Sequence, residues 1–168
     1  MCRLYTVTHS PSEEALTRLI LQKFDELVSL VESCDDALAN TELEAPGSNS
    51  VIQLLVHSCG LIRRWSSTVN LGQEIPRDRD REFHAKMSVP DAIALAQETH
   101  AAFLRDLEST DMQAAPSRVP PDRAHFWTVT CEGVLHHVLE EVSQHLGHAQ
   151  ITRDILVHRR TDIGAGGA

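Results

Sequence analysis

The densest run of chemistry-bearing side chains lies near the end of the chain, in Leu135-His136-His137-Val138-Leu139-Glu140-Glu141-Val142-Ser143-Gln144-His145-Leu146-Gly147-His148. Read as a helix of about 3.6 residues per turn, it puts His137, Glu141, His145 and His148 along one stripe, because positions three and four apart share a face. Leu135, Val138, Leu139, Val142 and Leu146 fall largely on neighbouring sides and supply a packing surface. A carboxylate and an imidazole one turn apart suit a divalent ion, whose ligands converge to roughly 2.0–2.2 Å of one point. His137 and His145 are separated by about 12 Å of helical rise, so the two cannot hold one ion directly. Glu141 with His145 is the register adopted; His145 with His148, and His137 with Glu141, are the alternatives.

Two ligands on one helix rarely make a tight site, so a third must come from another element. His57 offers it, standing in the middle of the otherwise apolar run Val51-Ile52-Gln53-Leu54-Leu55-Val56-His57-Ser58-Cys59-Gly60-Leu61-Ile62. A buried histidine there is either hydrogen-bonded within the core or held by a metal. A second helix bearing histidine and glutamate at one-turn spacing tips the reading towards the metal. Cys59 lies about 200° around the helix from His57 and is a poor ligand. Arg64 is seven residues after His57 and shares its face, while Arg77, Arg79 and Arg81 follow in the next connection. These four arginines are candidates to bind an acidic substrate group. His148 is the candidate catalytic base. His136 reads as structural, His84, His100, His125 and His158 as surface residues, and Trp65 and Trp127 as core or rim packing.

The elements that must carry these residues can be read from periodicity. Ser10-Pro11-Ser12-Glu13 has the form of a helix start, with Ser10 as cap and Glu13 closing a capping box. Leu16, Leu19, Ile20, Phe24, Leu27, Val28 and Val31 then recur at three and four, giving an amphipathic helix to about Cys34. A second helix is expected from about Ser50 to Thr68, after a polar connection containing Ala45-Pro46-Gly47-Ser48. Asn70 to Met87 holds no sustained period and reads as a long loop, of a length that is often functional. Ser88-Val89-Pro90-Asp91 opens a third helix ending near Ser109. Thr130 caps a fourth and longest helix running to about His158. Residues 162–168, ending Gly164-Ala165-Gly166-Gly167-Ala168, are expected to form a flexible tail beyond an ordered core of about residues 10–158. Four long helices without a strand pattern predict an all-α four-helix bundle, one domain spanning residues 1–168, with metal ligands projecting inward.

Composition fits this and narrows the partners. The 168 residues are 42% hydrophobic and 23% charged, a globular balance able to bury a core without staples. A formal charge of −9 argues against nucleic acid, since Arg77-Asp78-Arg79-Asp80-Arg81 is the one basic cluster and is half neutralised. Cys2, Cys34, Cys59 and Cys131 form no Cys-x-x-Cys pair and read as free thiols of a reducing compartment. No run approaches the roughly 20 apolar residues of a membrane span, and no signal peptide is evident, so a cytoplasmic protein is expected.

Taken together, His57-Ser58-Cys59-Gly60 with Trp65, then Pro76-Arg77-Asp78-Arg79-Asp80-Arg81-Glu82-Phe83, then Leu135 to Glu141 with His145-Leu146-Gly147-His148 and Thr152-Arg153-Asp154, resemble the DinB-like superfamily. More closely they are similar to its branch of mycothiol-dependent maleylpyruvate isomerases and mycothiol S-transferases. The resemblance covers about Ser12 to Val157. It implies a four-helix bundle whose divalent ion, often zinc, is held by one residue of the second helix and two of the fourth, here His57, Glu141 and His145. Where many relatives carry Gly-Gln after the last ligand, this chain has Gly147-His148.

Three protein ligands on a four-coordinate ion leave one position for water or substrate. The function expected is a metal-dependent thiol S-transferase, with zinc foremost and nickel as second candidate. The ion activates mycothiol or a similar low-molecular-weight thiol for attack on a small electrophile. The alternatives are a metal-dependent hydrolase, a thiol-dependent isomerase, and a non-catalytic bundle binding a metal or small ligand; a homodimer is compatible with each. The isomerase is disfavoured because the family's isomerase carries a further C-terminal domain contributing to its site.

Overall fold

The computed structural model of the protein describes residues 10–165, and side chains as far as 162. All regular structure among the described residues is helical: α1 (Pro11–Glu32), α2 (Asp36–Ala39), α3 (Val51–Arg63), α4 (Arg79–Glu82), α5 (Val89–Ser109) and α6 (Cys131–Ala165). The long helices α1, α3, α5 and α6 form the expected bundle; α2 and α4 are single turns within connections that the sequence reads as polar loop. Each start has the local chemistry that stops the chain from continuing as coil. Ser10 accepts from the Glu13 amide while Glu13 accepts from the Ser10 amide, and Ser50 and Gln53 do the same at α3. Ser88 caps α5, and the Thr130 hydroxyl accepts from Gly133 at the head of α6.

Side-chain ties between the helices fix their directions. At one end of the molecule Gln113 donates to both Glu13 (3.0 Å) and Glu132 (3.2 Å). At the other, Arg160 grips Asp35 through two bonds (2.6 and 3.2 Å), so α1 and α6 run parallel. On α3 and α6, His57 meets His145 and Trp65 meets His137, an antiparallel order. On α3 and α5, Cys59 lies beside Thr99 and Ser66 beside Asp106, a parallel order. The bundle is therefore up-down-down-up, and the link between α3 and α5 must travel back along its length. It does so past His57, placing Glu82 against that side chain, and reaches α5 beside Asn40, whose amide donates to the Met87 carbonyl at 2.8 Å.

The core is aliphatic and aromatic, with Ile20, Phe24, Leu27, Ile52, Leu54, Leu55, Ile62, Phe103 and Leu135 almost wholly buried. Truncating Phe24 or Phe103 to alanine in such a setting costs about 3–5 kcal/mol. Leu19, which the periodicity placed with the α1 stripe, is exposed at its edge.

Two helix boundaries depart from expectation. The second long helix does not simply end near Thr68: after Arg63 it widens into a π-helical turn, Arg64–Asn70. Asp106 of α5 anchors that turn, with one carboxylate oxygen accepting from Ser66 (2.6 Å), Ser67 and Arg63 (3.2 Å). The last helix continues beyond His158 to Ala165, through part of the stretch expected as tail, and the Arg160–Asp35 bonds hold these turns to the end of α1. Residues 166–168 and Cys2 lie outside the described residues.

Candidate metal centre

His57 and the pair Glu141 and His145 converge from facing sides of the bundle, α3 and α6. One donor atom from each lies within 4.8 Å of the other two, and they form the one group of this kind among the described residues. A tetrahedral ion with bonds near 2.1 Å needs its donors about 3.4 Å apart, a closure that small side-chain rotations supply. The His57 and His145 rings stand edge to face at 4.7 Å, and His145 Nε2 is 3.7 Å from Glu141 Oε2.

Two of the three donors, His57 and Glu141, are prepared by their neighbours. Glu82 takes a 2.8 Å hydrogen bond from His57 Nδ1 and is itself held by Arg77 through both oxygens, at 2.6 and 2.7 Å. An ionised carboxylate only accepts, so the proton of His57 sits on Nδ1 and its Nε2 keeps a free lone pair. This is the carboxylate–histidine arrangement that orients imidazole ligands in metal sites. Burial would raise the Glu82 carboxyl, but Arg77 and His57 outweigh it and hold the group below its ordinary range. Burial pushes the His57 imidazole down, and Glu82 offsets this only in part, so the ring is neutral and able to ligate. His145 beside Glu141 holds that carboxyl low against the opposing effect of burial, with His137 adding to the effect. Phe83 stacks on the His57 ring at 4.4 Å and fixes its plane.

Two observations fit the site to a metal. Both ring nitrogens of His145 are buried without a hydrogen-bond partner, and an unsatisfied buried group costs about 1–3 kcal/mol unless a ligand takes it up. The donor set of two imidazoles and one carboxylate is also that of catalytic zinc sites with one open position.

Gly60, one turn after His57, is where Glu82 passes. A Cβ on it would lie 2.1 Å from Glu82 Oε1 and 3.1 Å from Arg77 Nε, so only glycine lets this carboxylate reach His57.

A cavity of about 450 Å³ adjoins the donors, walled by His57, Arg64, Trp65, Arg77, His137 and Glu141 together with Leu61, Arg79, Pro120, Asp122 and Arg123. Of the four candidate arginines, Arg64, Arg77 and Arg79 line this one cavity. Arg81 is exposed and does not join them, because the single turn α4 points it away from the wall that Arg79 enters. Arg123, from the connection before α6, takes a place there that spacing does not reveal. His148 is exposed and is neither in the donor group nor in the cavity wall. His137 is in that wall instead, stacked on Trp127 at 4.0 Å, edged by Trp65 at 5.2 Å, and 4.0 Å from Glu141. Cys59 faces away towards Thr99, and burial pushes its thiol up to about 12, so it contributes no ligand.

Arg123 is the wall residue that sequence reasoning missed outright; the spacing offers His137 as an alternative ligand beside Glu141 and not as a wall residue, and Glu82 and Phe83 stand in the run 76–83 with no role given. The one available signal for Glu82 was Gly60, a small residue beside a buried histidine.

Fold and donor set together define a helical bundle with a His–Glu–His group that could hold a metal ion. Residues 20–149 match the DinB superfamily, and the protein belongs to it. No curated protein and no solved structure matches the chain. No helix among the described residues is long and apolar enough to cross a membrane.

Proposed function

We propose that the protein is a metal-dependent thiol S-transferase, in which His57, Glu141 and His145 hold a divalent ion, zinc foremost and nickel second. The observation that carries this reading is the convergence of three donors on the edge of a cavity, His57 and Glu141 prepared by their neighbours and His145 with both ring nitrogens unpaired. A bound divalent ion there favours thiolate over thiol and so supplies a sulfur nucleophile at neutral pH. The cosubstrate is mycothiol or a similar small thiol, and the partner is a small electrophile.

The chain's own residues do the rest. Glu82 keeps the His57 proton on Nδ1 and the ring in place, and Arg77 keeps Glu82 charged. Arg64 and Arg79 have no carboxylate within 4.0 Å among the described residues, although Arg79 lies over the Phe83 ring at 5.0 Å. Their guanidinium groups remain available to an acidic group of the substrate. Arg77, engaged with Glu82, contributes charge to the cavity more than a free fork of donors. Arg81 and His148, both off the cavity wall, take no part in this reading. The described thiols Cys34, Cys59 and Cys131 are free and buried, in keeping with a reducing cytoplasm where low-molecular-weight thiols are abundant.

The test is elemental analysis of the purified protein and of His57→Ala, followed by transfer of a thiol to a chromogenic aryl halide. About one ion per chain, its loss in the variant, and turnover that requires both metal and thiol are the expected results. Full metal occupancy without thiol-dependent turnover would overturn the transferase. His137, held by two tryptophans beside Glu141, supports hydrolysis as a second reading: turnover of an ester with metal but without thiol would move it to the front.

A further inference from the structure

Arg64 stands at one edge of the site cavity. A second cavity of about 680 Å³ lies beyond it, and the two share Arg64 and Pro120 in their walls. Its inner wall is the π-helical turn and its outer wall the connections on either side, including Glu74 and Arg118. These walls are fixed to one another. Arg118 N donates to the Val69 carbonyl at 2.9 Å, and Ser117 donates to Asn70 O through its amide (3.2 Å) and its hydroxyl (2.8 Å).

Two groups in this second chamber are left without partners by the protein. Thr68 is 4% exposed, its hydroxyl has no hydrogen-bond partner, and it lines the chamber. A buried hydroxyl in that state is destabilising until a ligand meets it. Arg64, half-buried on the threshold, has no acidic partner within 4.0 Å among the described residues, so its guanidinium is open to a ligand oxygen. At the far side Arg118 and Glu74 pair at 3.0 Å, both exposed, and offer a charge of either sign.

We infer that this chamber receives the tail of the thiol cosubstrate. The thiol is an elongated one, with an acid or carbonyl oxygen at Arg64 and a hydroxyl or amide group at Thr68. The sulfur lies at the metal donors and the tail passes over Arg64. The assignment rests on the thiol reading above. It adds that recognition of the thiol is remote from the reacting sulfur, in a place built by the widened turn of α3.

The test uses the full chain loaded with cobalt(II) in place of zinc, whose thiolate absorption band reports sulfur binding without turnover. Three thiols are titrated: 2-mercaptoethanol, too short to pass Arg64, and glutathione and mycothiol, whose longer tails carry amide, acid or hydroxyl groups. The quantity read is the ratio of dissociation constants, long thiol against short, in each protein. In the wild type at least one long thiol binds about tenfold or more tighter than 2-mercaptoethanol. That advantage falls to about threefold or less in Thr68→Val, which removes the hydroxyl at nearly constant volume, and in Arg64→Gln. Equal affinity for long and short thiols in the wild type, or an advantage that survives both substitutions, overturns the chamber assignment while leaving the thiol reading intact. No band with any of the three removes the thiol reading itself, and the chamber assignment with it.

Discussion

Glu82 is the residue that orients His57 and frees its Nε2, as a metal ligand would require, and Gly60 is the residue that admits it. In Glu82→Gln the acceptor pair facing His57 and Arg77 is halved and an amide N–H is turned on one donor. Metal affinity is expected to fall about 10–100-fold, read by competition with a chromogenic chelator; unchanged affinity would leave Glu82 as no more than Arg77's ion-pair partner. Gly60→Ala acts through the same group, since its Cβ would sit 2.1 Å from Glu82 Oε1. The expected cost is about 1–3 kcal/mol of stability with a loss of metal affinity in the same direction as Glu82→Gln. The metal-free protein carries a pH signature at this scale. His57 is held below its ordinary 6.5, so from there down to its depressed value the unfolded chain binds more protons than the folded one, and stability falls as pH falls. Glu82, held below 4.5, contributes stability that is present above 4.5 and is lost as pH falls through its lowered value. Both have the same sign, so the denaturation midpoint of metal-free protein should decline steadily from about pH 7 to about pH 4. His57→Gln should flatten the upper part of that decline, and a level wild-type profile between about pH 7 and about pH 5 would contradict the assignment.

At the scale of elements, the π-helical turn Arg64–Asn70 does what a regular helix end would not. π-Helical turns recur at functional sites because they re-aim side chains without ending the helix. Here the turn begins with Arg64 and Trp65, both in the cavity wall, and contains Thr68 in the wall of the second chamber. Asp106 secures it from α5 by gathering Ser66, Ser67 and Arg63 on one oxygen. Asp106→Ala leaves those donors buried together and is expected to destabilise the protein by about 3–5 kcal/mol. A fall in the guanidinium midpoint would show it. Trp65 and Trp127, the chain's two tryptophans, touch at the rim, so the native emission should shift as well. Unchanged midpoint and emission would mean that the turn holds its shape without the anchor. The crossover from α3 to α5 is the other element that matters, because only a link running back along the bundle can bring Arg77 and Glu82 level with His57.

At the scale of the whole molecule, a metal held by His57, Glu141 and His145 would be coupled to the fold, because these donors belong to helices that meet only when the bundle is assembled. An ion that binds the folded chain alone stabilises it by about 4 kcal/mol at a thousandfold excess over its dissociation constant. Zinc should therefore raise the melting temperature of chelator-treated protein by several degrees. The shift should be largely absent in His57→Ala and reversed by chelator. A shift of equal size in that variant would place the ion elsewhere. The chain's net charge is −9, yet four arginines stand around one cavity against Asp122 and Glu141 in the same wall, so positive charge is concentrated there locally even though Arg77 and Arg123 have acidic neighbours.

What the sequence by itself determined is whatever depends on neighbours a few residues apart. The caps at Ser10 and Thr130, the helix starts near Ser50 and Ser88, the apolar periods of four long helices, and the one-turn spacing of Glu141 and His145 are all of this kind. Helix geometry is local and repeats. Pairing them with His57 needed one further step, the rule that bundle ligands project inward from facing helices. Tertiary structure decided what depends on distant segments. Glu82 is 25 positions from His57 in the chain and meets it only through the crossover. Arg79 rather than Arg81 enters the cavity because α4 is a helical turn there and not an open loop. Arg123 and His137 join the wall, and His148 does not, because the connection before α6 folds its tryptophan against one end of the helix and leaves the next turns open to solvent. Spacing fixes which side chains share a face; only packing fixes which faces enclose a cavity.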